Sequence, residues 1–257
     1  MGVLQENLSM FLEGTVETLY MTGMSTILAY VFGLPLGILV IITRQDGLSP
    51  HPKLNAVLDW SVNIGRSIPF LILMGALMPF TRLVAGKAIG PNAAIVSLVI
   101  GAIPFVARMV EGSLEEIDHG VIEAAQTMGA SNREIITKVY LPESLPSLVR
   151  GLSITTITLI GYSAMGGAVG AGGLGDIAIR YGYHRYEYDV MIVTIILLIL
   201  IVQIIQNIYN TLAKKIDKRI INQKKRGTIY ETYREKSSLP RSRVRTARIL
   251  HRLLRFR

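Results

Sequence analysis

The chain has 257 residues, of which 50% are hydrophobic, with a mean hydropathy of +0.43 and no cysteine. The lack of cysteine excludes disulfides and thiolate metal sites. The net charge of +9 is the sum over two unlike regions. Residues 214–257 hold 16 Lys and Arg and 3 Asp and Glu, whereas residues 1–213 hold 11 Lys and Arg and 15 Asp and Glu. The composition therefore predicts an apolar membrane domain over residues 1–213 and a basic tail over residues 214–257.

Five apolar stretches approach the roughly 20 residues of helix that cross the hydrocarbon core of a bilayer. In chain order, they are Thr18–Thr43, Ser67–Phe80, Pro91–Ala107, Leu152–Leu174 and Val190–Ala213. The fifth stretch contains no charged residue, which disfavours buried helices of a soluble protein. The sequence thus predicts an all-α polytopic membrane protein with five transmembrane helices. Arg108, at the end of the third stretch, is expected to extend its guanidinium to the interface.

Orientation follows from the distribution of basic residues in the loops. The N-terminal region carries Glu6, Glu13 and Glu17 but no Lys or Arg, so no secretory signal is predicted. The tail has 16 basic residues and the third loop has four, whereas the first, second and fourth loops have two each, with Arg66 close behind the first. The best fit puts the first and third loops and the tail inside. The N-terminus is therefore predicted outside and the C-terminus inside, which places the polar segment Glu123–Pro146 in the cytoplasm.

The segment Glu123–Pro146 has the signals of two short helices. Gly129 suits the left-handed position after a first helix. Ser131 and Glu134 form an S-x-x-E capping box that starts a second helix, which is expected to end near Leu141 and Pro142.

One face of that second helix is apolar. Ile135 and Val139 lie four residues apart, and the small Ala124 and Ala125 allow a close approach nearby. Such a face fits a groove in a partner protein. The alternative is a surface loop that only links two spans.

The residues Glu123-Ala124-Ala125, Gly129 and Val139-Tyr140-Leu141-Pro142 resemble, in type and spacing, the EAA loop of ABC-importer permeases. Val139 stands where the family pattern has Ile. In that family the loop is a cytoplasmic coupling helix that inserts into a cleft of the ATPase subunit. The resemblance, with the apolar face, implies contacts to an ATPase by Glu123, Ala124, Ala125, Gly129, Ile135, Val139, Leu141 and Pro142.

The chain lacks an ATP-binding P-loop of its own. The one approximate match, at Gly86-Lys87, has Thr81 where the first Gly belongs and Ala88 where Ser or Thr belongs. The chain is therefore predicted to be a permease rather than an enzyme and to bind no cofactor. The resemblance places ATP and Mg²⁺ on a separate ATPase subunit.

Three further stretches are similar to the permease of methionine ABC importers, and the similarity covers about residues 10–213. They are VNIGRSIPF (Val62–Phe70), AIPFVARMVEGSLEEID (Ala102–Asp118) and GYSAMGGAVGAGGLGD (Gly161–Asp176). The resemblance implies import of L- or D-methionine across the bacterial plasma (inner) membrane. It also implies a permease homodimer, two ABC ATPase subunits and an extracytoplasmic solute-binding protein. Another small solute stays open, because related permeases share the Gly-rich stretch.

The Gly-rich stretch contains two small-xxx-small patterns, Gly166 to Gly170 and Gly167 to Ala171, that allow helices to cross closely in lipid. Packing within one subunit is one interpretation, and a dimer contact or flexible gate is the other. On the second interpretation, Met165 with Tyr162 and Ser163 lines the pathway, and Met165 of each copy forms an apolar constriction.

The tail Ile220–Arg257 departs from the family, which usually ends soon after the fifth span. Its Arg residues alternate with apolar residues, which is typical of an interfacial helix on anionic lipid. A disordered extension is the alternative, and nucleic acid is not an expected partner. Besides an importer, the chain could be a membrane scaffold that docks a cytosolic protein without transport. A channel is less favoured, because no charged or carbonyl filter ring stands out.

Overall fold

The computed structural model describes residues 7–217, and within that range the chain is helical and has no β-strand. The α-helices are α1 (Leu8–Ile42), α2 (Pro52–Ser67), α3 (Phe70–Ala76), α4 (Met78–Ala85), α5 (Pro91–Glu115), α6 (His119–Thr127), α7 (Asn132–Ile135), α8 (Leu141–Gly166), α9 (Gly173–Ile177) and α10 (Tyr188–Ile216). A π-helical turn, Ile136–Tyr140, joins α7 to α8, and another, Ala178–Tyr183, follows α9. The two interpretations of the tail Ile220–Arg257 lie outside the described residues.

Four helical segments of the described range are long and apolar enough to cross a membrane. They are Leu8–Ile42, Pro91–Glu115, Asn132–Val169 and Tyr188–Ile216. The pair α2 and α3 makes a fifth candidate, although its two helices are bent by 97°. The predicted all-α fold with up to five apolar spans is confirmed.

The second predicted span, Ser67–Phe80, is not one straight helix. It runs over the end of α2, all of α3 and the start of α4. The sharp bend lies at Ile68, whose ψ of 123° is extended. Pro69 causes this break, because its ring disfavours helical geometry in the residue before it.

The fourth predicted span, Leu152–Leu174, has different ends in the structure. Helix α8 starts earlier, at Leu141, and ends at Gly166, after which the 3-10 turn Gly167–Val169 follows. Gly170 and Gly172 then have φ angles of 78° and 89°. These left-handed angles are available to glycine at little cost and end the helix. Gly166 and Gly170 therefore do not lie on one continuous helix.

The most extensive helix contact is between α1 and α5, and small residues make it possible. A Cβ atom at Gly33 would lie 2.7 Å from Cβ of Val106. A Cβ atom at Gly37 would lie 2.6 Å from the carbonyl oxygen of Ala107. In lipid the hydrophobic effect does not drive helices together. Van der Waals packing at such close backbone contacts does so instead.

Glycine also brings the end of α8 close to α9. A Cβ atom at Gly175 would lie 2.5 Å from both Cα and the carbonyl oxygen of Ala164. Two side chains of α1 hold α9 from the other side. The backbone N–H of Gly173 donates to Oε2 of Glu17 at 2.7 Å, and that of Leu174 donates to Oγ1 of Thr18 at 2.9 Å.

Substitution of Gly175 by alanine is predicted to destabilise the protein by about 1–3 kcal/mol, because the new methyl group meets backbone atoms that cannot move aside. The thermal unfolding of the detergent-purified protein measures the effect. Gly161→Ala is the matched control on α8, since a Cβ there meets nothing within 4 Å. Equal melting temperatures for the two variants would contradict this account of α8 and α9.

Candidate functional site

The segment between α5 and α8 begins with α6 and a tight turn. Asp118 caps α6 by accepting a hydrogen bond from the backbone N–H of Gly120 at 2.8 Å. At the other end Gly129 has a φ of 80°. The N–H of Ala130 donates to the carbonyl of Ala125 at 3.1 Å, and the N–H of Gly129 donates to that of Gln126 at 2.9 Å. These bonds form a Schellman motif, and the predicted left-handed position of Gly129 is confirmed.

The capping box predicted for the next helix is also present. Ser131 accepts from the N–H of Glu134, and the Glu134 carboxylate accepts from the N–H of Ser131 at 3.1 Å. Asn132 adds a bond outside the segment, from its side-chain amide to the carbonyl of Leu48 at 3.1 Å. The turn between α6 and α7 is therefore fixed by hydrogen bonds on both sides.

The second helix does not stop at Leu141 and Pro142 as expected. The chain passes from α7 through the π-helical turn directly into α8, and the whole segment Asn132–Val169 is helical over 38 residues. Pro142 follows directly on the π-helical turn, and the helix continues past it. The segment Glu123–Pro146, which we call the coupling segment, therefore runs directly into a candidate membrane-spanning helix.

The apolar face predicted to meet a partner is packed inside this chain. Ile135 is 0% exposed, and Val139 packs against the same core cluster. Ala125 is buried as well. Ile135 and Ala125 therefore belong to the core of this chain, whereas Val139 is half-buried at its edge.

The surface that remains for a partner is on α6 and the turn after it. Glu123, Ala124 and Gly129 are exposed, and Leu141 is half-buried beside the exposed Pro142. Met128, which the sequence analysis did not select, is 82% exposed at the tip. The sequence could have indicated this residue, because Met128 is a large apolar residue directly before the turn glycine Gly129. We call this surface, residues 123, 124, 128 and 129, the coupling tip.

The candidate gate residues at the other end of α8 have different surroundings. Met165 is 51% exposed. The ring of Tyr162 stacks on that of Phe70 in α3, with centroids 4.4 Å apart and planes 3° apart. Ser163 is buried and donates to the carbonyl of Ile160 at 2.8 Å. Met165 alone of the three presents a large apolar side chain to the outside of this subunit.

The glycines proposed for packing are engaged within the subunit. A Cβ atom at Gly166 would lie 3.0 Å from Cβ of Ala171 and from Cε of Met74. Gly167 is buried against the backbone of α9. The N–H of Gly90 donates to the carbonyl of Gly170 at 2.9 Å. These contacts favour the first interpretation of the Gly-rich stretch, packing within one subunit.

A polar cavity of about 680 Å³ lies beside the Gly-rich turn, at the opposite end of the bundle from the coupling tip. Its lining includes Glu13, Glu17, Lys87, Asn92, Asp176 and Arg180. Arg180 pairs with Asp176 at 2.5 Å. The sequence analysis missed this cavity, because its charged residues come from three segments that are far apart in the chain.

Comparison with known proteins places these features in one family. The family model described as binding-protein-dependent transport system inner membrane component matches residues 18–221. The probable D-methionine transport system permease protein MetI of Vibrio cholerae is 50% identical over 213 residues, which are 83% of this chain and 95% of that protein. The methionine import system permease protein MetP of Bacillus subtilis is 47% identical over 205 residues, 80% of this chain and 92% of that protein.

Solved structures show the same fold. One inward-facing conformation of the MetNI methionine ABC transporter matches with a TM-score of 0.81 and 47% identity, over 82% of this chain and 98% of that chain. An amino acid ABC transporter crystallised with histidines matches with a TM-score of 0.65 over 84% of this chain and 97% of that chain. The second match has 19% identity and concerns the fold alone.

Replacement of Gly129 by alanine is predicted to weaken the turn by about 1–2 kcal/mol, because a Cβ atom is unfavourable at positive φ. Amide hydrogen exchange of residues 119–135 in the purified protein should become faster. Gly112→Ala in α5 is the control, since its Cβ meets nothing within 4 Å and its backbone is helical. Unchanged exchange in the Gly129 variant would show that the left-handed conformation is not required for the turn.

Proposed function

The chain belongs to the family of binding-protein-dependent transport system inner membrane components, and from this premise we propose that it forms the membrane pathway of a methionine importer. As a member of that family it is a permease subunit of a bacterial ABC importer, lies in the inner membrane and is not itself an enzyme. One observation carries the substrate: the 50% identity to a probable D-methionine permease extends over 95% of that protein. The likeness therefore includes the pathway helices as well as the coupling segment.

The proposed assembly is a homodimer of this chain with two ATPase subunits and an extracytoplasmic solute-binding protein. Up to five spans in one chain leave little room for an enclosed pathway, whereas a two-fold pair doubles the wall. The coupling tip is the proposed contact for the ATPase subunit, which would hold ATP and Mg²⁺. Helix α10 exposes most of its apolar side chains, and these are the proposed contacts with lipid.

The proposed mechanism uses the continuous helix that starts at the coupling tip. Asn132–Val169 spans 38 residues, which is roughly 55 Å at a rise of about 1.5 Å per residue. A displacement of α6 by the ATPase subunit is transmitted through the fixed turn at Gly129 to α8, and along α8 to Met165. ATP drives this displacement only if it binds the two conformations with different affinity.

Met165, Tyr162 and Ser163 are proposed to lie at the gate in three different roles. The exposed Met165 closes the pathway against its counterpart in the second copy, since a methionine side chain repacks easily as its surroundings move. Tyr162 connects the gate to α3 through its stacked partner Phe70. Ser163, bonded to its own helix, supports the local backbone.

Uptake in reconstituted vesicles tests the proposed function. The chain is reconstituted with its ATPase and solute-binding subunits, and labelled L- and D-methionine are supplied outside with ATP inside. We expect ATP-dependent accumulation that unlabelled methionine suppresses and unlabelled leucine does not. Accumulation of a different amino acid instead would show that this amino acid, and not methionine, is the substrate. ATPase binding without uptake of any tested solute would support the scaffold alternative.

The proposed orientation has the coupling tip in the cytoplasm and the loop before α10 outside. Ser131 is exposed beside the tip, and Tyr183 is 66% exposed in that loop. Single cysteines are placed at either position, since the chain has none of its own. A membrane-impermeant thiol reagent on intact cells is expected to label position 183 and to spare position 131. Labelling of 131 alone would invert the orientation.

Met165→Ala is predicted to open the constriction, because the shortened side chain no longer reaches the second copy. Vesicles without ATP should then leak methionine at least about tenfold faster, which corresponds to a barrier lowered by about 1.4 kcal/mol. Met24→Ala is the control, since Met24 is a partly exposed methionine of α1 outside the candidate gate. A tight Met165 variant with a lowered melting temperature would assign this residue to packing instead.

A further inference from the structure

A buried carboxylate lies where three helices meet near the coupling segment. Glu111 is in α5 and is 2% exposed. Its carboxylate pairs with two guanidinium groups. One belongs to Arg108, a turn earlier in α5, with Nη1 of Arg108 2.6 Å from Oε2 of Glu111. The other belongs to Arg44, which follows the end of α1.

Each arginine also pairs with a further carboxylate, and the two carboxylates are different. Nη1 of Arg44 lies 2.7 Å from Oε1 of Glu115, and Nη2 of Arg108 lies 2.7 Å from Oδ1 of Asp59 in α2. The hydrogen bond to Glu115, together with that to Glu111, raises the pKa of Arg44 against the lowering effect of burial. We call Arg44, Asp59, Arg108, Glu111 and Glu115 the ion cluster. It connects α1, α2 and α5.

Stability alone does not account for the buried carboxylate of Glu111 at the centre of this cluster. Removing a carboxylate from water costs several kcal/mol, and apolar residues of similar volume often stabilise a protein equally well. Conformational specificity is the best-attested use of such groups. The question is therefore which element the cluster holds in place.

Helix α2 is attached by the ion cluster and by one small apolar contact, that of Val62 with Val40 and Ala107. Of its side chains, Val62 is the buried one, whereas Leu54, Val57, Trp60 and Ile64 are exposed. Its polar contacts to the rest of the chain are more numerous. Asp59 and Asn63 both accept from Nη2 of Arg108 at 2.7 Å, and Asn55 donates to the carbonyl of Val40 at 2.7 Å.

The two helices that the cluster joins lead to the two functional ends of the molecule. Helix α5 ends at Glu115, and α6 with the coupling tip starts at His119. Helix α2 ends at Ser67 and bends by 97° into α3. There Phe70 stacks on Tyr162, one turn before Met165. A rigid connection between α5 and α2 therefore connects the coupling tip to the gate by a second route besides α8.

We propose that Asp59, Arg108 and Glu111 are positioning residues for transport, which fix α2 to α5 so that a movement of α6 reaches α3 and the gate. The solute in this inference is taken from the proposed function, whereas the movement of α3 does not depend on which solute is transported. Asp59 is the residue to change, because it lies on α2 and is half exposed, so the chain can fold without it.

The first measurement follows α3 directly and needs no solute. A spin label on a cysteine at Ile72, an exposed position of α3, reports its distance to the same label in the second copy. In the parent complex, nucleotide trapping is expected to shift this distance. In Asp59→Ala the shift should be lost while ATP hydrolysis continues, and Asp59→Glu should restore it. An unchanged shift in Asp59→Ala, or none in the parent, overturns the inference.

The second measurement is the number of ATP molecules hydrolysed for each solute molecule taken up. Asp59→Ala is expected to raise this ratio at least about twofold, and Asp59→Glu should keep the parent value. Ser61→Ala is the matched control on α2, because its exposed hydroxyl bonds only to the carbonyl of Val57 in its own helix. A purely structural role predicts a lower yield with a normal ratio, which would overturn the inference. If the parent complex takes up no methionine, the proposed substrate is wrong. The change in label distance would still test the inference, because that measurement needs no solute.

Discussion

Backbone polar groups inside a bilayer need partners within the protein, because no water is available to them. This constraint explains the form of the Gly-rich turn at the end of α8. The turn departs from helical geometry at the end of a candidate membrane span, and the bundle supplies its partners. Gly90 bonds to the carbonyl of Gly170, and Glu17 and Thr18 accept the first N–H groups of α9. The irregular backbone is held in place from two sides.

The same constraint separates the moving parts from the fixed parts. Helix α1 is joined to α5 by close contacts at Gly33 and Gly37 and to α9 by side-chain caps. Helix α2 buries one side chain, Val62, whereas α3 buries Phe70 and Met74 in the main core, and the two helices meet at a bend that proline imposes. Elements with few buried apolar contacts are the ones that move at low cost. Helix α2 would therefore move independently at low cost without the ion cluster that fixes it to α5.

Local signals in the sequence predicted local structure well. The turn at Gly129, the capping box at Ser131 and the long apolar helices follow from a few neighbouring residues, and the structure contains them. Contacts between distant segments were not predictable in this way. Ile135 has the spacing of a partner-binding face but is covered by its own chain. Arg108 was expected to extend to the interface, whereas it pairs with Asp59, 49 residues earlier. No pattern in the sequence indicates which distant residue each of these side chains contacts.

The burial of Ile135 also limits what an ATPase subunit can recognise. With Ile135 in the core and Val139 half-buried against it, the most exposed large apolar residue of α6 and its turn is Met128. A small apolar contact surrounded by polar groups supplies modest affinity, and its position then matters more than its area. That position is set from both sides, by α5 before the tip and by α7 and α8 after it. The helices that hold the coupling tip are thus the same ones that lead to the proposed gate, so the proposed docking and transmission depend on one set of rigid elements.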